Sequence, residues 1–209
     1  MAYDLEEQEQ IDAIKAWWKQ HGNNVLLGIA VFVAVVAGMQ GWRHYQNKQT
    51  VQAAGLYDVL QGAVESHDAK QVREVAGQLI EQYPGSAYAS RAALTAAKSN
   101  YEAGDAKSAK AQLQWVVDHA KSDEIKDAAR LRLAGVLLDE KNHAEAMKLL
   151  EAKHSPAFDG LYADLKGDVL TASGKAAEAQ AAYRLALEKL DPAGGYRSLV
   201  QMKLDALGG

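Results

Sequence analysis

The longest uncharged run in this chain constrains its fold more than any other feature. From Gln20 to Gln40 the sequence contains no Asp, Glu, Lys or Arg, and most of its residues are apolar. About 20 residues of α-helix rise roughly 30 Å, which is the thickness of the hydrocarbon core of a bilayer. The sequence therefore predicts a single transmembrane helix over residues 23–42.

Aromatic residues flank this run, with Trp17 and Trp18 before it and Trp42 and Tyr45 after it. Indole and phenol rings favour the headgroup level of a membrane, so this arrangement is typical of a span rather than of a buried core helix. A cleaved signal peptide would begin with a short basic region. The 19 residues before this run instead contain five acidic residues and two lysines, which favours an uncleaved anchor.

Residues 1–22 predict a short amphipathic segment before the span. Ile11, Ile14 and Trp18 recur at helical spacing, and Gly22 predicts the end of this helix. An amphipathic helix here is expected to lie on the membrane surface or against a partner protein.

The basic residues beside the span do not determine its orientation. Lys15 and Lys19 precede it, and Arg43 and Lys48 follow it, so the positive-inside count is equal. The charge pattern alone leaves open which side of the membrane the remainder of the chain faces.

Small residues form a stripe along the predicted span. Ala30, Ala34 and Gly38 are four residues apart, and Ala37 and Gly41 lie beside them on the same face. Such spacing lets a second helix approach closely, which predicts a packing surface within the membrane. The alternative is that Ala and Gly are simply common in membrane helices.

Residues 43–209 predict an all-α domain. They are rich in good helix formers and show no alternation typical of strands. Pro84, Pro156 and Pro192 are 72 and 36 residues apart. Multiples of about 36 residues indicate a helical repeat, with a generic helix bundle as the alternative.

Recurring turn signals support this period. Each is followed by a small residue: Gly104 by Ala109, Asn142 by Ala146, and Gly174 by Ala179. The Gly or Asn predicts a left-handed end of the first helix of a pair, and the alanine lets the second helix pack closely. The pattern resembles the tetratricopeptide repeat, with three units over residues 87–192 and a degenerate unit over 51–86. Residues 196–207 predict a closing helix that covers the last unit.

The first helices of the pairs are expected to line a groove. The predicted groove residues are Leu94, Lys98, Tyr101, Leu131, Leu138, Leu161, Asp164 and Asp168. The leucines alternatively belong to the core between helices. A partly apolar groove with few charges would suit unfolded or extended polypeptides.

The sequence predicts neither an enzyme nor a cofactor or metal site. No two of the six histidines are three or four residues apart, and no phosphate-binding loop or nucleophile motif is present. Cysteine is absent, which excludes disulfides and thiolate zinc sites. The net charge is −4 and the basic residues are interspersed with acids, which argues against a nucleic-acid partner.

Several short motifs together resemble one bacterial family. Glu9-Gln-Ile-Asp-Ala-Ile-Lys-Ala-Trp-Trp18 precedes the span, and Gly41-Trp-Arg-His-Tyr45 closes it. Asp164-Leu-Lys-Gly-Asp168 lies in the last pair, and Gln201-Met-Lys-Leu204 lies near the end of the chain. In this order they resemble the ancillary subunit of the SecYEG translocon, of the YfgM type, over essentially the full length. The middle repeats depart most from the family.

The resemblance implies a single-pass inner-membrane protein with a cytoplasmic N-terminus and periplasmic repeats. It implies association with the SecYEG translocon and with a PpiD-type periplasmic chaperone, and a role in passing unfolded or nascent polypeptides to chaperones. It also implies a link to an envelope stress response. The residues are also compatible with two other functions: a structural scaffold of the envelope without client contact, and a regulator whose repeats face the cytosol.

Overall fold

The computed structural model describes residues 2–208, with side chains from residue 9 onward. The chain divides into two compact units, one up to Gln49 and the other from Thr50 onward. The described residues form α-helices, one short 3₁₀ helix and their connections, without a strand. The prediction of an all-α chain is therefore confirmed.

The first helix, α1, spans Ala2–Glu65. Among the described residues it is the one helix long and apolar enough to cross a membrane, by length and composition. The large apolar side chains of its uncharged run are exposed, as Leu27 and Phe32 illustrate with exposures of 66% and 68%. An apolar helix without a protein core around it agrees with the predicted membrane anchor.

The predicted helix end at Gly22 is wrong, because α1 continues through it. A glycine within a helix costs only about 1 kcal/mol relative to alanine, and the apolar run that follows continues the helix. The absence of a side chain also leaves room for Trp18, since a Cβ at Gly22 would lie 3.2 Å from its ring.

Eight shorter α-helices follow among the described residues, and all of them except the last belong to helix pairs. They are α2 (Ala69–Gln82), α3 (Ala87–Glu102), α4 (Ala106–His119), α5 (Asp123–Asp139), α6 (His143–Leu150), α7 (Asp159–Ala172), α8 (Ala176–Lys189) and α9 (Tyr196–Ala206). The end of α1 pairs with α2, and the later pairs are α3 with α4, α5 with α6, and α7 with α8. The 3₁₀ helix, Pro156–Phe158, precedes α7.

Four turns of one geometry join the helices within these pairs. Their left-handed residues are His67, Gly104, Lys141 and Gly174, with φ of 55°, 81°, 61° and 76°. In each turn this residue and the next donate backbone N–H bonds to the preceding helix at 2.8–3.1 Å. The same turn recurs every 37, 37 and 33 residues, which confirms the predicted helical repeat and includes the degenerate first unit.

The second of the predicted turn residues is wrong by one position, because the left-handed residue is Lys141 and not Asn142. Asn142 instead caps α6, where its side-chain oxygen accepts the N–H of Glu145 at 3.5 Å. Asp68 and Asp105 hold the same position before α2 and α4 and also accept backbone N–H groups. The asparagine therefore satisfies donors of the second helix rather than ending the first.

Small residues let the two helices of a pair approach closely. Ala109, Ala146 and Ala179 are fully buried, as the repeat pattern predicts. In the last pair the two helices approach closely at Gly167, where a Cβ would lie 2.4 Å from the Tyr183 ring. Three apolar clusters succeed one another along the domain, drawn from residues 53–96, 93–169 and 163–204.

Candidate interaction surface

The predicted groove residues of α3 lie partly on the surface and partly in the core. Leu94 is half-buried and packs against the central apolar cluster. Lys98 is exposed, with its ammonium 3.7 Å from the Glu102 carboxylate. Tyr101 is 41% exposed, and its hydroxyl donates to the Asp139 carboxylate on α5. This hydrogen bond raises the pKa of Tyr101 and ties α3 to α5.

The remaining predicted leucines, Leu131, Leu138 and Leu161, are half-buried. Leu131 and Leu138 pack against the central cluster, as the core alternative predicts, while part of each side chain stays accessible. The exposed parts of Leu131 and Leu138 provide apolar area on α5, and the exposed part of Leu161 provides apolar area on α7.

Asp164 and Asp168 are engaged by the closing helix α9. Asp164 is 1% exposed, and both of its carboxylate oxygens lie 3.0 Å from the Lys203 ammonium. Lys203 also lies 2.8 Å from Asp168. The hydroxyl of Tyr196 donates to Asp164 at 2.6 Å, and that of Tyr183 donates to Asp168 at 2.8 Å. These five residues, here called the α9 cluster, hold α9 on α7 and α8.

Burial and hydrogen bonding shift the pKa values of Tyr183, Tyr196 and Lys203. Burial raises the pKa of Tyr183 and of Tyr196, and the neighbouring carboxylates act in the same direction. Burial alone would lower the pKa of Lys203, but the hydrogen bonds to Asp168 and Asp164 outweigh it and raise that pKa. The raised pKa values keep the ammonium charged and the two phenols protonated further into alkaline pH than in free side chains.

Lys203, Tyr183 and Tyr196 are functional-site residues that the sequence patterns do not predict. No local spacing indicates the contact, because Lys203 follows its two carboxylate partners by 39 and 35 residues. The available signal was the pair of family motifs at residues 164–168 and 201–204. The structure shows that these two motifs contact each other.

An open cavity of about 500 Å³ lies beside Lys98, and the sequence did not indicate it. Its lining includes Val64 of α1, His67 of the turn, Val72 of α2, and Thr95 and Ser99 of α3. Aliphatic side chains and hydroxyls thus surround the ion pair of Lys98 and Glu102 at this place. Among the described residues, no group of three or more His, Asp or Glu side chains is arranged to hold a metal ion.

The predicted packing residues of the span are all exposed. Ala30, Ala34, Gly38 and Gly41 lie on the surface of α1. No atom lies within 4 Å of a Cβ built at Gly38 or Gly41. The stripe is therefore open to another helix, and its use for packing stays a prediction.

Comparisons with known proteins agree with this architecture. A family model described as a tetratricopeptide repeat-like domain matches residues 15–209. The ancillary SecYEG translocon subunit of Neisseria gonorrhoeae is 33% identical over 211 residues, covering 99% of this chain and 100% of that protein. The proteins of the same name from Haemophilus influenzae and Escherichia coli are 29% and 25% identical. The match to the H. influenzae protein covers 89% of this chain and 91% of that protein. The match to the E. coli protein covers 96% of each.

A solved structure has a similar fold. MamA from Desulfovibrio magneticus matches with a TM-score of 0.55 at 16% identity, covering 75% of this chain and 89% of that one. At this identity the likeness concerns the fold alone.

Proposed function

The chain belongs to the family of ancillary SecYEG translocon subunits, and from this membership we propose that it is a membrane-anchored adaptor of the Sec translocon. The observation that carries the proposal is the similarity to a protein of that name over 99% of the chain. The match includes the apolar part of α1 as well as the repeats, so the anchor and the binding domain are shared together. In this proposal α1 holds the chain in the inner membrane, and the repeats bind other proteins without catalysing a reaction.

The finer part of the proposal concerns what the repeats bind. We propose that they face the periplasm and help pass unfolded or nascent polypeptides from the translocon to a PpiD-type chaperone. Half-buried leucines on α5 and α7 offer apolar contacts, and the cavity beside Lys98 adds hydroxyls and aliphatic side chains. Extended polypeptides are recognised by such mixed surfaces through their backbone and a few side chains.

Crosslinking in cells followed by purification in mild detergent tests the adaptor role. The full chain should recover SecYEG subunits, and a control with an unrelated single-pass anchor carrying no repeats should not. Recovery of cell-wall or division proteins without translocon subunits would instead support a scaffold and overturn the proposal.

Protease treatment of spheroplasts tests the orientation. Repeats in the periplasm should be digested in intact spheroplasts, whereas repeats in the cytosol should be protected until the membrane is lysed. In the proposed orientation residues 1–22 lie in the cytoplasm, and we assign the link to envelope stress to them. Deleting residues 2–19 should then change a stress reporter while SecYEG recovery persists, and an unchanged reporter would remove this part of the proposal.

A further inference from the structure

The second helix of the third pair is shorter than its counterparts. The helix α6 has 8 residues, whereas α2, α4 and α8 have 14 each. Ser155 precedes Pro156 and has an extended backbone, with ψ of 140°, because proline disfavours the helical conformation in the residue before it. Residues 151–155 therefore form a loop in the place where the other second helices continue.

Contacts with α5 and α7 hold this loop in place. The buried carboxylate of Asp127 accepts the backbone N–H of Ser155 at 2.9 Å and a hydrogen bond from the Arg130 guanidinium at 2.7 Å. The ring of His154 stacks on the ring of Tyr162, with the centroids 3.8 Å apart. Because the loop is fixed in this way, the surface beside it is formed before any ligand binds.

A cavity lies between α6, α7 and α8, beside this loop. Leu150, Ala163 and Leu185 form the apolar part of its lining. Leu185 is 46% exposed. Trp115 occupies the same position in α4, eleven residues after the turn residue, and is half-buried against the central apolar cluster. The apolar side chains beside the short helix are therefore open to solvent.

Lys166 also lines this cavity, at a position that is apolar and buried in the two preceding pairs. It lies eight residues before the turn residue Gly174, and Ala96 and Leu133 hold the same position with exposures of 0% and 5%. Lys166 is half-buried, and its ammonium forms no ion pair or hydrogen bond with the part of the chain that the structure describes. A cation held partly out of water without an anion is unfavourable, so a bound anion would stabilise it.

The other charged groups of the lining also favour an anion. Lys189 is a second lysine of the cavity, and its ammonium lies 3.2 Å from the exposed carboxylate of Glu188. Asp159 is the acidic residue of the lining, and its carboxylate lies 3.3 Å from Nε2 of His154. Two ammonium groups thus adjoin an apolar surface, while the one carboxylate of the lining is engaged by the histidine ring.

We propose that this cavity, here called the α6–α8 cavity, binds the carboxyl-terminal end of a polypeptide whose last side chain is apolar. The terminal carboxylate contacts the ammonium groups of Lys166 and Lys189, and the last side chain packs against Leu150 and Leu185. A chain end carries a carboxylate and an apolar side chain on the same carbon atom, which matches ammonium groups beside apolar side chains.

The size and position of the α6–α8 cavity agree with this ligand. Its volume of about 280 Å³ is at the small end of ligand sites, which suits a chain end rather than a folded partner. None of the predicted groove residues lines it, so a chain end is bound apart from the groove. The inference rests on the proposed function in that the repeats bind polypeptides, and it adds which part of a polypeptide is recognised here.

Peptide binding to the full chain in mild detergent tests this site. The probe is a short fluorescent peptide of glycine and serine that ends in leucine with a free carboxylate, and fluorescence anisotropy measures its binding. Amidation of the chain end should weaken binding by about tenfold, because the contacts of the carboxylate with the ammonium groups are lost. Replacing the terminal leucine of the peptide by glycine should also weaken binding, because the apolar contact is lost.

Two variants assign these contacts to residues. Lys166→Met keeps an apolar stem at a position that is apolar in other pairs, so the fold should be retained, and most of the preference for the free carboxylate should be lost. Leu185→Ala should lose the preference for leucine over glycine and keep the preference for the free carboxylate. Lys148→Met is the matched control, because Lys148 is an exposed lysine of α6 outside the lining. It should bind like the parent, and thermal melting checks the fold of each variant.

Equal binding of the free and amidated peptides by the parent would overturn the proposal. So would the absence of binding, or an equal loss in Lys166→Met and Lys148→Met. An amidated peptide with an internal aspartate before the leucine distinguishes a chain end from an acidic side chain, and tight binding of that peptide would also overturn the proposal. Recovery of SecYEG subunits is measured separately in cells, so this inference can fail while the adaptor role stands.

Discussion

Lys203 is the residue on which the attachment of α9 depends most. Its ammonium contacts Asp164, which is buried, and Asp168. Lys203→Met keeps the apolar stem but leaves Asp164 short of a partner, so the free energy of unfolding should fall by about 1–3 kcal/mol. Denaturant unfolding measures this. The control Lys175→Met removes an exposed ammonium 3.4 Å from Glu178 and should change little; equal losses would contradict the role of Lys203.

The same cluster predicts that the domain weakens at alkaline pH. The pKa of Lys203 is raised in the fold, so its contribution is fully present below the unfolded value of about 10.4 and is lost as pH rises through the folded value. The raised pKa values of Tyr183 and Tyr196 act with the same sign. Denaturant unfolding between about pH 8 and 11.5 should show falling stability above about pH 10, more steeply for the parent than for Lys203→Met. Parallel curves would contradict this.

The backbone conformation of Lys141 suits glycine better than lysine. Its φ of 61° is left-handed, and the equivalent turns have Gly104 and Gly174. Lys141→Gly should therefore raise the stability by up to about 1 kcal/mol, because glycine adopts this conformation without a steric penalty. Thermal melting of the variant checks this. Gly174→Ala, the reverse change in an equivalent turn, should lower the melting temperature, and a lower value for Lys141→Gly would contradict the argument.

At the scale of elements, the features predicted correctly from the sequence are those that depend on residues close together in the chain. The proline intervals and the alanines after each turn predicted the helix pairs, because tight turns and close helix contacts require particular residues nearby. The end of a helix at Gly22 was wrong, since the apolar run beyond it outweighs one poor helix former. The α9 cluster was missed because its partners come from separate helices, and spacing carries no information about such contacts.

The contact of α7 with α8 tests the register of the repeat. Ala179 is fully buried at this contact, so Ala179→Leu should overpack it and lower the free energy of unfolding by about 1–3 kcal/mol. Ala177→Leu is the matched control, because Ala177 is on the same helix and exposed. Thermal and denaturant melting report both. If the two variants melted alike, Ala179 would not lie at the close contact.

At the scale of the whole molecule, α9 is expected to act as the cap of the repeat domain. The fragment of residues 48–209 should be helical, soluble and monomeric. Deleting residues 194–209 removes Val200 and Leu204 from the last apolar cluster and exposes their partners. Light scattering should then show aggregation. A truncated fragment that stayed monomeric and equally stable would show that α9 is not a cap.

The span is predicted to be a docking surface as well as an anchor, and this determines how the whole molecule assembles. In lipid no hydrophobic force drives helices together, because lipid tails are as apolar as leucine; close packing must do it, and small residues permit it. Ala34 and Gly38 are exposed on α1, and a Cβ at Gly38 would meet no atom within 4 Å. Replacing both by Leu keeps the segment apolar and inserted but blocks close approach, so recovery of translocon or chaperone partners after crosslinking should fall.

The matched control for this variant changes Leu27 and Val31, which are exposed and already large, to other large apolar residues. It should leave partner recovery unchanged, and alkaline extraction should show both variants inserted in the membrane. The two variants have the same apolar character and differ in whether a small residue is lost. A fall limited to Ala34→Leu with Gly38→Leu therefore reports close helix contact rather than general disturbance of the span. Equal recovery from this variant and the parent would leave the repeats as the site of association and make the small-residue stripe incidental.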